Sequence, residues 1–88
     1  MQDDKTLLTQ HLPFCPGADG APLFSVQPGV PIHLALAQAS VFFGCAERLS
    51  AENCDADLQL SRSLGVVTAQ LVQMGRALVD ASIAGVER

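Results

Sequence analysis

Apolar residues recur at alternating spacings of three and four along two stretches of this chain. The first runs Ile32, Ala35, Ala39, Phe42, Ala46, Leu49, and the second Leu60, Leu64, Val67, Leu71, Met74, Leu78, Ala81. Such spacings place one residue per turn on a single side of an α-helix, so each ladder predicts an apolar seam. Two seams joined by a short polar stretch make an antiparallel helical hairpin. Two helices alone cannot enclose a core, so the pattern says more about association with another chain than about chemistry.

The helix limits follow from local signals. In Gln27-Pro28-Gly29-Val30-Pro31 a turn leads into a helix start, because proline at the first helical position has the right φ and no amide hydrogen to leave unpaired. Helix one is predicted over residues 31–51 and helix two over 55–85. Asn53, Asp55 and Asp57 are suited to cap the second, where acidic groups complement its positive end. Ahead of the helices, Leu12-Pro13-Phe14-Cys15 and Pro22-Leu23-Phe24-Ser25-Val26 flank the turn-forming Pro16-Gly17-Ala18-Asp19-Gly20. This predicts a short extended or β-hairpin segment with Phe24 and Val26 on one face, its prolines confining it to edge strands. Residues 1–11 are polar without a sustained period and are expected to be frayed, leaving 12–88 as a single helical-hairpin domain.

The second helix carries more apolar surface than one partner helix covers. Leu58, Gly65, Val72, Val79 and Val86 form a further column at seven-residue intervals, and the polar stripe left over is narrow. Gly65 and Gly75 each cost a helix about 1 kcal/mol relative to alanine, and close approach of another backbone is their usual reason. Adjacent Phe42 and Phe43 point about 100° apart and must serve two contacts. Phe42 belongs to the seam, and Phe43 is expected against the other helical hairpin or against Phe24. A second copy is the simplest way to cover this surplus, giving a mostly α fold in which two hairpins dimerise into a four-helix bundle. The expected dimer or helix interface comprises Phe42, Phe43, Gly65, Leu71, Val72, Met74, Gly75, Leu78 and Val79.

Chains of 88 residues bury only about 60% of their unfolded surface, which makes a dimer still more useful. The apolar fraction of 49% with only 16% charged residues predicts a folded chain. The five cations, Lys5, Arg48, Arg62, Arg76 and Arg88, are scattered in a chain of net charge −4. Phosphate backbones and anionic membranes require clustered cations, so neither nucleic acid nor membrane is expected as a partner. Met1-Gln2-Asp3-Asp4 is acidic where a signal peptide is basic, and prolines interrupt the longest uncharged stretch, so a cytoplasmic protein is expected. Three cysteines without a C-x-x-C pair agree with a reducing compartment.

No chemical constellation emerges. His11, Cys15, His33, Cys45 and Cys54 match no zinc spacing, and no cofactor or metal is expected. His33 is expected to be exposed and Cys45 to pack beside Gly44. The segment Pro16–Gly20 lacks the Gly-Lys-Ser/Thr ending of a phosphate loop. Asp55 and Asp57, two apart, cannot face one another on a helix as an acid-base pair. Ser40 is expected to bond back to the Leu36 carbonyl. An enzyme is therefore not expected; a non-enzymatic interaction, accessory or regulatory protein is, with a small apolar ligand between the helices near Phe42, Phe43, Met74 and Leu78 as the alternative.

The run Phe24-Ser25-Val26-x-Pro28-Gly29-Val30-Pro31, followed by Ala35-Leu36-x-Gln38-Ala39-Ser40 and Gly44-Cys45-Ala46, resembles a family of short bacterial proteins of unknown function, frequent in pseudomonads. The resemblance covers about residues 22–85 and implies a helical hairpin without supplying an activity. His33-Leu34 departs from the family pattern, which has acidic residues in that first helical turn.

Overall fold

The computed structural model describes residues 7–53 and 57–87, and within them the two ladders are helices. The elements in chain order are β1 (Leu12–Pro16), β2 (Pro22–Val26), α1 (Ile32–Asn53) and α2 (Leu58–Glu87). Both helices end two residues beyond the expected limits, and the start expected at Asp55 lies outside the described residues, as does Cys54. Asp57 is the observed cap of α2: its Oδ1 accepts from Leu60 N–H at 2.8 Å while its carbonyl accepts from Ser61 N–H at 2.7 Å. The helices run antiparallel, since Ile32 at the start of α1 lies beside Gly85 at the end of α2.

β1 and β2 pair antiparallel with Leu12 opposite Val26 and Phe14 opposite Phe24. Pro16 faces Pro22 next to the Gly17–Ala21 pair, which is joined by an N–H···O bond of 2.7 Å. Hydrogen-bonded and open pairs alternate along such a ladder, so these two prolines occupy an open pair and remove no bond. Gly20, at φ +86°, closes the turn, and Asp19 Oδ1 accepts from Ala21 N–H at 3.0 Å. The Phe14 and Phe24 rings lie 5.8 Å apart, so Phe24 meets its cross-strand partner and not Phe43.

The expected frayed terminus does not extend to residue 11. Leu7 to Gln10 form a strap over the joined ends of α1 and α2, with Leu8 bridged to Pro31. Its pivot is Thr9, only 2% exposed. The Thr9 backbone donates to the Val30 carbonyl (2.8 Å) and accepts from Gly29 N–H (3.0 Å), while its hydroxyl donates to the Gln27 carbonyl (2.7 Å) and accepts from Val30 N–H (3.0 Å). Pro28 and Gly29, the latter at φ +82°, occupy the central positions of this turn as a type II geometry requires. The Thr9 hydroxyl thus fills the gap between the turn's first carbonyl and last amide. Leu7 and Gln10 extend the strap by accepting from Ile32 N–H (3.1 Å) and donating to the Ala81 carbonyl (3.2 Å), respectively. The first of these satisfies an amide that the start of α1 would otherwise leave unpaired.

The core is built from small residues. Val26, Ala35, Ala39, Ala46, Ala77 and Ala81 are the buried apolar residues, and no Leu, Ile, Met or Phe is fully buried among the described residues. Every position of the first ladder is at least half-buried, whereas Leu60 and Val67 of the second remain exposed. Alanine seams let helices approach closely, but each contributes little, because burial is worth about 0.8 kcal/mol per CH2-sized group and 1.5–3 kcal/mol for a large side chain. The molecule is a slab of 53 × 32 × 14 Å.

Candidate interaction surface

Three sides of α2 have different surroundings. On one, Ala35, Ala39 and Phe43 belong to the adjoining α1. On another, Ala77 and Ala81 pack with Val26, Leu12 and Phe14 of the β-hairpin. Val72 lies nine residues before Ala81, roughly 180° around the helix at 100° per residue, and it remains 43% exposed. The column read from the sequence, Leu58, Gly65, Val72, Val79 and Val86, follows this third side. Leu58 and Val86 are exposed and Val79 is half-buried.

The two adjacent phenylalanines divide between these sides. Phe42 turns toward the β-hairpin, where it lines a groove of about 290 Å³ with Phe14, Val26, Val30, Met74 and Leu78. Ser25, Gln27 and Gln38 complete the lining, which contains no ionisable side chain. Phe43 turns the other way and lies over Gly75, where a Cβ would come within 2.8 Å of its ring. That close approach explains Gly75 inside a single chain, as a ring-on-backbone contact where the sequence suggested backbone on backbone. Phe43 remains 39% exposed, and Leu36, seven residues before it on the same side of α1, is also exposed. Leu36, Phe43, Val72 and Val79 therefore form a continuous apolar face away from the β-hairpin.

The expected interface residues thus occupy two places. Phe42, Met74 and Leu78 line the groove beside the hairpin, whereas Phe43, Gly75, Val72 and Val79 form or underlie the bare face. Leu71 is half-buried on the helix seam. Gly65 is exposed, with nothing within 4 Å of where a Cβ would sit, so no contact among the described residues accounts for it. Gly85, which the sequence marks only as a helix end, makes the tightest approach: a Cβ there would collide with the Leu8 carbonyl.

The groups considered for chemistry stay apart. His33 is exposed as expected, Cys45 is exposed where packing was expected, and Cys15 is half-buried with its Sγ 3.8 Å from Gln70 Oε1. Cys15 takes a positive φ of 58° inside β1. Among the described residues no three His, Cys, Asp or Glu side chains converge as a metal site. No described helix is long and apolar enough to cross a membrane. The back-bond expected at Ser40 is made instead by buried Ser82, whose Oγ donates to the Leu78 carbonyl at 2.8 Å. The Arg76–Asp80 pair, 3.7 Å apart one turn along α2 and well exposed, contributes at most a few tenths of a kcal/mol.

The fold and its surface define a class: a two-helix unit with a β-hairpin on one side and an apolar face on the other. The chain belongs to the family described as protein of unknown function DUF3077, whose pattern matches residues 10–85. No curated protein and no solved structure matches it.

Proposed function

We propose that the chain is a non-enzymatic interaction protein that acts as a homodimer, with accessory or regulatory work done through the surface the dimer leaves free. The observation that supports this reading is the absence of any fully buried Leu, Ile, Met or Phe among the described residues, beside a face of exposed Leu36, Phe43 and Val72. Surplus apolar area without convergent polar groups suits binding better than catalysis. Three cysteines without a C-x-x-C pair suit a reducing compartment, which supports a cytoplasmic setting for this work. Light scattering at micromolar concentration should give about twice the 9.2 kDa chain mass, and purification of the tagged chain from its own cell should return a stoichiometric protein partner. A folded species of single-chain mass removes the homodimer from the reading.

The second reading is a small neutral apolar ligand in the groove of Phe14, Phe42, Met74 and Leu78, favoured by its uncharged lining. Its 290 Å³ lies at the lower edge of the size of ligand sites, about 300–1,000 Å³. The chain has neither Trp nor Tyr, so Phe42→Trp introduces a lone reporter whose emission should shift with an alkane or fatty alcohol only if this reading holds.

A further inference from the structure

Resting on the homodimer reading, we infer that the second copy docks on the side of the helix pair facing away from the β-hairpin, centred where Phe43 covers Gly75, and that the groove beside Phe42 stays outside the dimer. Two uncovered apolar regions flank the middle of the helix pair, and they differ in shape and size. The groove is a local depression of about 290 Å³ between three elements, sized for a few side chains or a small molecule.

The other side is broad. α1 spans 22 residues, about 33 Å at 1.5 Å per residue, and two helices side by side are about 20 Å wide, a footprint of roughly 660 Å². Each partner in a stable complex contributes about 800 Å² of accessible surface, so this side alone approaches what a dimer needs.

The occupant follows from the energetics of the fold. A chain whose buried apolar residues, among those described, are one valine and five alanines gains from a larger core whenever it is folded. That gain is permanent, and the one partner always present in equal amount is another copy. Charge agrees with this. A chain of net charge −4 repels its copy unless they meet across an uncharged patch, and Leu36, Phe43, Gly75, Val72 and Val79 are such a patch. Closure in two-fold symmetry then covers the same patch on both copies, leaving both β-hairpins and both grooves on the outside of the dimer.

The test places lysine at Val72, with Val66→Lys as its control. Val66 is even more exposed, at 71%, and lies about 120° away around α2. Lysine is a good helix former whose stem can lie along apolar surface, so neither variant disturbs the single chain. Sedimentation equilibrium of parent and variants reads the dimer dissociation constant, and circular dichroism checks helix content. Val72→Lys should raise the constant at least about tenfold, because its ammonium is desolvated without a partner, while Val66→Lys should leave it within about twofold. A dimeric parent unchanged by Val72→Lys, or weakened only by Val66→Lys, overturns this placement and leaves the homodimer intact. A parent that is monomeric at every concentration overturns both and gives the face to a different protein.

Discussion

The two ends of the helix pair are held together by different means. At the end where the chain enters α1 and leaves α2, Thr9, Val26, Ala35, Ala39, Gly75, Ala77, Ala81, Ser82 and Gly85 are all buried, and both buried hydroxyls are hydrogen-bonded. Toward the helix-helix connection Ala46 alone is buried among the described residues, and Asn53 Oδ1 and Thr68 Oγ1 are buried without a hydrogen-bond partner among them. There Leu58, Leu60, Val66 and Val67 are exposed. The first end is closed by backbone hydrogen bonds and small-residue contacts that a single chain supplies. The second end has apolar side chains that the described residues leave exposed. Stability in one copy therefore resides at the strap end.

The largest expected effect breaks the closed end. Gly85→Ala places a methyl group on the Leu8 carbonyl, and a backbone atom cannot rotate away as a side chain can. We expect a loss of about 3 kcal/mol or more in urea unfolding, with faster hydrogen exchange at the amides of Thr9, Gln10 and Ile32. Thr9→Val keeps the shape but removes the hydroxyl from the turn, leaving Val30 N–H and the Gln27 carbonyl without that partner. It should cost about 1–3 kcal/mol by the same measurement.

Gly75→Leu tests the centre of the molecule. The Phe43 ring must leave its place, so unfolding should become easier by about 1–3 kcal/mol, and dimer mass by light scattering should fall with it. The smallest effect has the opposite sign: Gly65→Ala enters open space and should stabilise the chain by up to about 1 kcal/mol through helix propensity alone. If Gly65→Ala is instead destabilising, a backbone from the second copy lies against it, and the interface reaches the connection end.

These glycines also show what was legible in the sequence and what was not. The ladders and their proline and aspartate boundaries are local signals, and they located both helices, the seam of α1 and the β-hairpin. Gly75 could be singled out because glycine inside a helix has a known cost. Gly85 looked like an ordinary helix stop, although its meaning depends on Leu8, 77 positions earlier in sequence. Thr9 carries no signal either: one hydroxyl in an aperiodic polar stretch does not announce that it will close a turn 18 residues away. On the surface, heptad spacing points to the column of Leu58, Gly65, Val72, Val79 and Val86, of which all but half-buried Val79 are exposed. It could not separate Phe42 from Phe43, because which ring meets the β-hairpin depends on where the hairpin packs.

The central claim is that this chain completes its core with a second copy of itself. Its most direct measurement is urea unfolding followed by circular dichroism across a hundredfold range of protein concentration. If folding and dimerisation are coupled, the midpoint rises steadily with concentration, because mass action favours the bound state. A midpoint that stays fixed across the range, with a single-chain mass throughout, would contradict the account.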